Sequence, residues 1–288
     1  MLTLLVSASK YLPAFGLVLL LAGLGAVAAD ERSSINAAQV IQIVGAIGPA
    51  TADYVSRSLN TSAERGAPVA ILTIDTPGGL DASMRDINRA ILASSVPVVA
   101  YVHPSGARAA SAGTYILYAS HVAAMTPGTN LGAATPVSIG GGSPFAGGDR
   151  DNETDTGDEK KRSKDKEQDS KDPSSDPMKA KAVNDAVAYI RSLAELRGRN
   201  ADWAEKAVRH AESLSANDAK KNNVVDIVAT NINDLLAQTD GRRVAIDAQD
   251  VTLNTKGLSV EYIEPDWRTR LLATITNPNV ALILMLIG

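Results

Sequence analysis

Cysteine is absent from this chain of 288 residues, and histidine occurs only three times. The first absence excludes disulfide frameworks, thiol nucleophiles and thiolate-ligated metal sites together. An excess of charge of one sign is lacking too: 28 Lys and Arg face 32 Asp and Glu, for a net charge of -4. Nucleic-acid binding needs a basic face, so nothing in this balance points to such a partner. What remains is 45% hydrophobic and 21% charged, enough to bury the core of one or two domains.

Two apolar runs mark the ends. Residues 1–29 read as an export signal, with Lys10 closing a short n-region, "YLPAFGLVLLLAGLGAVAA" as the apolar stretch and small residues before Asp30. The mature protein is then expected at the periplasmic or extracytoplasmic face of the cell membrane. A run of about 20 apolar residues can also stay as an uncleaved anchor. At the other end, "NPNVALILMLIG" turns apolar from Val280. The run is too short to span a bilayer, so residues 276–288 read as the start of a truncated transmembrane segment.

Between the ends, 30–275 read as one α/β domain. "VIQIVGAI", "PVAILTID" and "VPVVAYV" are nearly continuous apolar strands. The stretches between them place Ala52, Val55 and Leu59, then Met84, Ile87 and Ile91, at helical spacing. That alternation implies a parallel sheet covered by helices on both faces. From Gly147 to Pro177 no apolar side chain occurs. Such a segment cannot offset its chain entropy by burial, and an insertion at about 140–177 is expected to be disordered. Order resumes at Met178, where Val183, Val187, Ile190 and Ala194 share a stripe, and Asn200 is placed to cap the next helix.

Two glycine-rich turns follow strands, where α/β sheets collect their active sites. In "IDTPGGLD", Gly78 and Gly79 expose backbone amides at the start of a helix, suited to a developing oxyanion. The plainer reading is a strand-to-helix turn. In "GARAASAGTYI", Ser111 stands at or near a helix start, where a serine is commonly an N-cap. The stretch departs from the nucleophile elbow of α/β-hydrolases: Ala109 replaces the first glycine, and eight residues separate the strand end at Val102 from Ser111.

A nucleophilic serine needs a base within reach. His103 at a strand end reads as satisfied or exposed, His121 as pointing away from Ser111, and His210 as solvated. The other option is a lysine with a lowered pKa, and Lys179 and Lys181 both stand at the head of the helix that begins at Met178.

Four blocks in order, "IDTPGGLDASM", "VPVVAYVHPSGARAASAGTYI", "HVAAMTPGTNLGAATPV" and "NDAVAYIRSLAELRGRNADWAEKAV", resemble the NfeD family of membrane-associated serine proteases. That family belongs to the ClpP/crotonase superfamily and is similar to signal peptide peptidase A. The resemblance implies a ClpP/crotonase-like fold of repeated β-β-α units. It further implies Ser111 as nucleophile, Gly79 and the Ala112 amide as oxyanion donors beside Gly78, and a lysine as base. The K-x-x-N spacing before "DAVAYI" selects Lys181 over Lys179, whereas the apolar stripe mildly favours Lys179. The implied activity is an endopeptidase acting on apolar peptide segments or a membrane protein, with a stomatin-like protein as substrate or partner. No metal, nucleotide or organic cofactor is implied, and a homodimer or higher oligomer is expected. Two other readings stay open: a crotonase-type acyl-CoA enzyme, which would need catalytic carboxylates, and a noncatalytic scaffold for a membrane partner.

Overall fold

The computed structural model describes residues 35–137 and 177–275, apart from 248, 268, 270 and 272–274. The export segment at 1–29, the apolar end at 276–288 and the insertion lie outside the described residues, except that Pro177 opens a helix. Among the described residues no helix is long and apolar enough to cross a membrane.

The apolar runs form the expected sheet. Strands β1 (Ala37–Val44), β2 (Ala70–Asp75), β3 (Val98–Val102), β5 (Val122–Met125), β8 (Ile227–Val228) and β11 (Ser259–Tyr262) make six strands in the order β11-β1-β2-β3-β5-β8. Every neighbouring pair is parallel. Because strand side chains alternate, the register sorts them into rows. Ile41, Leu72, Ala100 and Ala123 stand side by side on one face, and Val40, Ile71, Val99 and Val122 on the other. The first row belongs to the larger of two buried clusters, the second to the smaller.

The larger cluster is covered by helices α1 (Pro49–Glu64), α2 (Asp81–Leu92), α3 (Ala112–Ala119), α4 (Pro177–Leu196), α5 (Ala201–Arg209) and α6 (Ala216–Lys221). The opposite face is covered by α7 (Ile232–Thr239) and an antiparallel pair, β9 (Arg243–Ile246) and β10 (Gln249–Thr252). The stripe expected on α4 is present: Val187, Ile190 and Ala194 are buried and Val183 is half-buried. Asn200 caps α5 as expected, its side chain accepting from the Trp203 amide at 2.9 Å.

A third sheet escapes the sequence pattern. Strands β4 (Arg108–Ala110), β6 (Asn130–Gly132) and β7 (Ser213–Ser215) pair in that order, and Thr76, just past the end of β2, bridges to Ala109. Its presence corrects the reading of the region before Ser111. The eight residues after Val102 are not all loop: β4 ends at Ala110, so the chain does turn from strand directly into helix at Ser111.

Candidate active site

Ser111 occupies the N-cap position of α3 without capping it. Its φ is 51° and ψ -115°, and its side chain makes no hydrogen bond to the helix. A non-glycine residue held at positive φ is strained, and such strain persists where the surroundings over-determine it. Those surroundings are visible. The Ser111 amide donates to Gly132 O at 2.9 Å, while the Thr114 hydroxyl donates to Ala109 O at 2.9 Å and accepts from the Gly132 amide at 3.1 Å. Thr114 thus ties the start of α3 to β4 and β6. Gly113 lets the helix close on β2, since a Cβ there would sit 2.7 Å from Thr76 Cγ2.

The "TPGG" turn lies against this elbow. The Thr76 hydroxyl donates to Gly45 O at 2.6 Å and accepts from the Gly78 amide at 3.0 Å. The Gly78 amide is therefore engaged, and its contribution to the site is steric. At φ +113° it lies where a Cβ would come within 2.6 Å of Ser111 Cβ. Gly79 is different. Ile47 donates to Gly78 O and accepts from the Leu80 amide, both at 2.9 Å. In a parallel bridge the residue between two such bonds turns its own amide the other way. The Gly79 and Ala112 amides have no partner among the described residues. Both residues line one cleft with Ser111, so two free donors and the positive end of α3 surround the serine.

That cleft has a volume of about 300 Å³. Leu80, Met84, Tyr115, Pro136, Val137 and Ala186 give it apolar walls. Two residues that sequence reasoning passed over contribute to it. Asp81, from the first turn of α2, lines the rim and bonds Arg85 at 2.9 Å. Tyr115 is buried, donates its hydroxyl to Ala134 O at 3.2 Å, and has its pKa raised by burial. Asp81 stands two residues beyond "PGG", which was a signal for it. Tyr115 reads as one more apolar helix residue.

The structure brings Ser111, Gly78, Gly79 and Ala112 together, but not Lys181. Lys181 and Lys179 are both exposed on the first turns of α4, and neither lines the cleft. Helix α4 reaches the cleft at Ala186, seven residues after Lys179 and five after Lys181. At 3.6 residues per turn, Lys179 is the nearer to that face.

The histidines behave as expected. His103 Nδ1 is bonded to Thr126 Oγ1 at 3.1 Å and the ring stacks on Tyr101, with burial lowering its pKa. His121 Nδ1 accepts from the Val98 amide at 3.1 Å, at the strand-start end of the sheet. His210 is exposed at the end of α5. Among the described residues no group of His, Asp and Glu is placed to hold a metal ion.

Comparison with known proteins identifies the family and the fold. The family described as NfeD1b, N-terminal domain, matches residues 37–249. The membrane-bound protease PH1510 of Pyrococcus horikoshii is 35% identical over 255 residues, covering 88% of this chain and 51% of that protein. The membrane protein NfeD1b of Bacillus subtilis is 39% identical over 121 residues, covering 42% of this chain and 26% of that protein. The chain thus spans about half the length of the first relative and about a quarter of the second. Among solved structures, a lysine-to-alanine mutant of the stomatin-specific protease 1510-N, bound to a substrate peptide, is 34% identical. It superposes with a TM-score of 0.68 over 84% of this chain and 99% of its own. A serine-to-alanine mutant of the same protease is 33% identical, with a TM-score of 0.65 over 81% of this chain and 99% of its own. The fold is accordingly the ClpP-like α/β fold of that protease.

Proposed function

The chain belongs to the NfeD1b N-terminal-domain family, and from that premise we propose that it is a serine endopeptidase with a Ser111–Lys181 dyad. Its substrate in this reading is an apolar peptide segment of a stomatin-like membrane protein. One observation carries the proposal: Ser111 is held uncapped at positive φ, in one apolar cleft with the unpartnered amides of Gly79 and Ala112. Nearby precedent supports it, since the relative that matches over 88% of the chain is named a membrane-bound protease. A structural neighbour carries a substituted lysine and a substrate peptide.

The reaction proceeds in two halves. With a peptide across the cleft, Lys181 in its neutral form takes the Ser111 proton onto Nζ as Oγ bonds to the scissile carbonyl carbon. The Gly79 and Ala112 amides hold the resulting oxyanion. Collapse breaks the C–N bond, and Nζ returns the proton to the leaving amine. Water then attacks the acyl carbon as Nζ takes its proton, the C–Oγ bond breaks, and Nζ returns the proton to Oγ as the carboxylic acid leaves. The choice of Lys181 rests on the K-x-x-N spacing against the helical angle, which favours Lys179. Since Lys181 stands outside the cleft lining, the reading requires its long side chain to reach over the rim toward the bound peptide.

Incubation with apolar peptides tests this directly. Ser111→Ala and Lys181→Ala should each abolish cleavage, while Lys179→Ala should retain it. Undiminished cleavage by Ser111→Ala rejects the protease. Loss in Lys179→Ala alone moves the base to Lys179. The proposed enzyme is placed at the extracytoplasmic face of the membrane, as a dimer or higher oligomer. Protease protection of the chain in intact cells and its sedimentation test those two points.

A further inference from the structure

The strand-to-helix turn that supplies the Gly79 amide and the helix that carries the proposed base are tied by one ionic cluster. Arg85, one turn into α2, donates through Nε to Asp81 Oδ2 at 2.9 Å and through Nη2 to Asp185 Oδ2 of α4 at 2.5 Å. Its guanidinium carbon lies 4.3 Å from the centre of the Tyr189 ring, also on α4. The Tyr189 hydroxyl accepts from Asn88 Nδ2 of α2 at 3.0 Å, and its ring stacks on Tyr115 of α3, the helix that begins beside Ser111. Asp185 falls one helical turn after Lys181, and Asp81 lies two residues after Gly79. A single side chain therefore links the helix that follows the oxyanion turn to the helix that bears the proposed base.

Exposure argues against a stabilising role for these contacts. The Asp81 and Asp185 side chains are 69% and 67% exposed, and ion pairs in water contribute about 0–1 kcal/mol. Planarity argues for a geometric one. An arginine fork bonded to two carboxylates from two helices fixes an angle as well as a distance, which a lysine cannot reproduce.

We propose that Arg85 and Asp185 are positioning residues that hold α4 in register with α2, so that the lysine on the first turns of α4 meets Ser111. The inference rests on the Ser–Lys reading above, with either lysine as base. Neither residue touches the reacting atoms; both act through the helix.

The test compares Arg85→Met, Arg85→Lys, Asp185→Asn and the double variant Arg85→Met/Asp185→Asn in the full chain. Three readouts are needed: peptide cleavage, labelling of Ser111 by a small fluorophosphonate, and thermal unfolding. A misplacement of about 1 Å costs on the order of 100-fold in rate. We expect kcat and the labelling rate to fall about 10- to 100-fold in Arg85→Met and Asp185→Asn, with KM and the unfolding temperature little changed. Arg85→Lys should recover part of the loss, and the double variant should be no slower than the slower single one. Ser111-dependent labelling at the wild-type rate in Arg85→Met overturns the inference and leaves the protease reading standing. So does a rate loss that only follows a fall in unfolding temperature. Wild-type labelling that survives Ser111→Ala overturns both readings.

Discussion

Ser111 is the residue at which function and stability oppose each other. Its φ of 51° with ψ -115° is territory that glycine enters freely and a serine does not. Ser111→Gly is therefore expected to abolish cleavage while stabilising the fold by about 1–2 kcal/mol. Thermal melts of the two proteins check it, and an unchanged or lower midpoint for Ser111→Gly would show that the turn is unstrained. The spacing of small residues around a lone serine made this site legible as a candidate. The sequence could not separate the two glycines. Gly78 and Gly79 read alike until Thr76 Oγ1 is seen to occupy one amide and the Ile47 bridge to turn the other outward. On the base the sequence's two signals disagreed, the K-x-x-N spacing selecting Lys181 and the apolar stripe mildly favouring Lys179, and both lysines stand on exposed turns.

Among the elements, α3 carries the site, and its far end is clamped as firmly as its near end. Arg199 is almost wholly buried. Its Nη1 donates to the carbonyls of Leu117, Tyr118 and Ser120 at 3.0–3.2 Å, and its Nη2 pairs with Asp226 at 2.7 Å. Arg197 donates through Nε to Ala119 O at 2.9 Å, and burial lowers its pKa to about 10. Cations at a helix C-terminus complement its dipole. Asp226 keeps 24% of its side chain exposed, so removal of Arg199 strands chiefly the buried carbonyls, at a cost of about 1–3 kcal/mol. Arg199→Met should lose about that much in urea unfolding; a loss below about 1 kcal/mol would mean the clamp is ornamental. Neither arginine stood out in a charged stretch reading "ELRGRN". The strands β1, β2 and β3 were legible because they are long and β-branched. β4, β6 and β7 were not, being Arg-Ala-Ala, Asn-Leu-Gly and Ser-Leu-Ser. Their strand character comes from pairing with distant chain, which no local pattern encodes.

For the whole molecule, acid should act first through His121. The residue is 9% exposed, its Nδ1 is occupied as an acceptor, and Arg197 and Arg199 lie close. Burial first, then those two charges, lowers its pKa from 6.5 to about 3. The unfolded chain therefore binds this proton more readily than the folded one. The stability contributed is complete above pH 6.5 and is lost as pH falls toward 3. Urea unfolding should weaken by about 1.4 kcal/mol for each pH unit within that window. His121→Gln should flatten the slope between pH 6.5 and 5. Asp266, held near 2 by Thr269 and then by Arg57, yields only in stronger acid. An unaltered slope in the glutamine variant would assign the acid sensitivity elsewhere. The parallel pairing of β11 with β1 has a bearing on how the molecule comes into being. Ala37 pairs with Ser259, so the outer edge of β1 stays open until almost the entire domain has left the ribosome. Closing so long a loop is slow. An open edge in a growing chain is also an invitation to pair with another copy. The order of synthesis, rather than the strength of the finished sheet, is thus what sets this fold's exposure to aggregation.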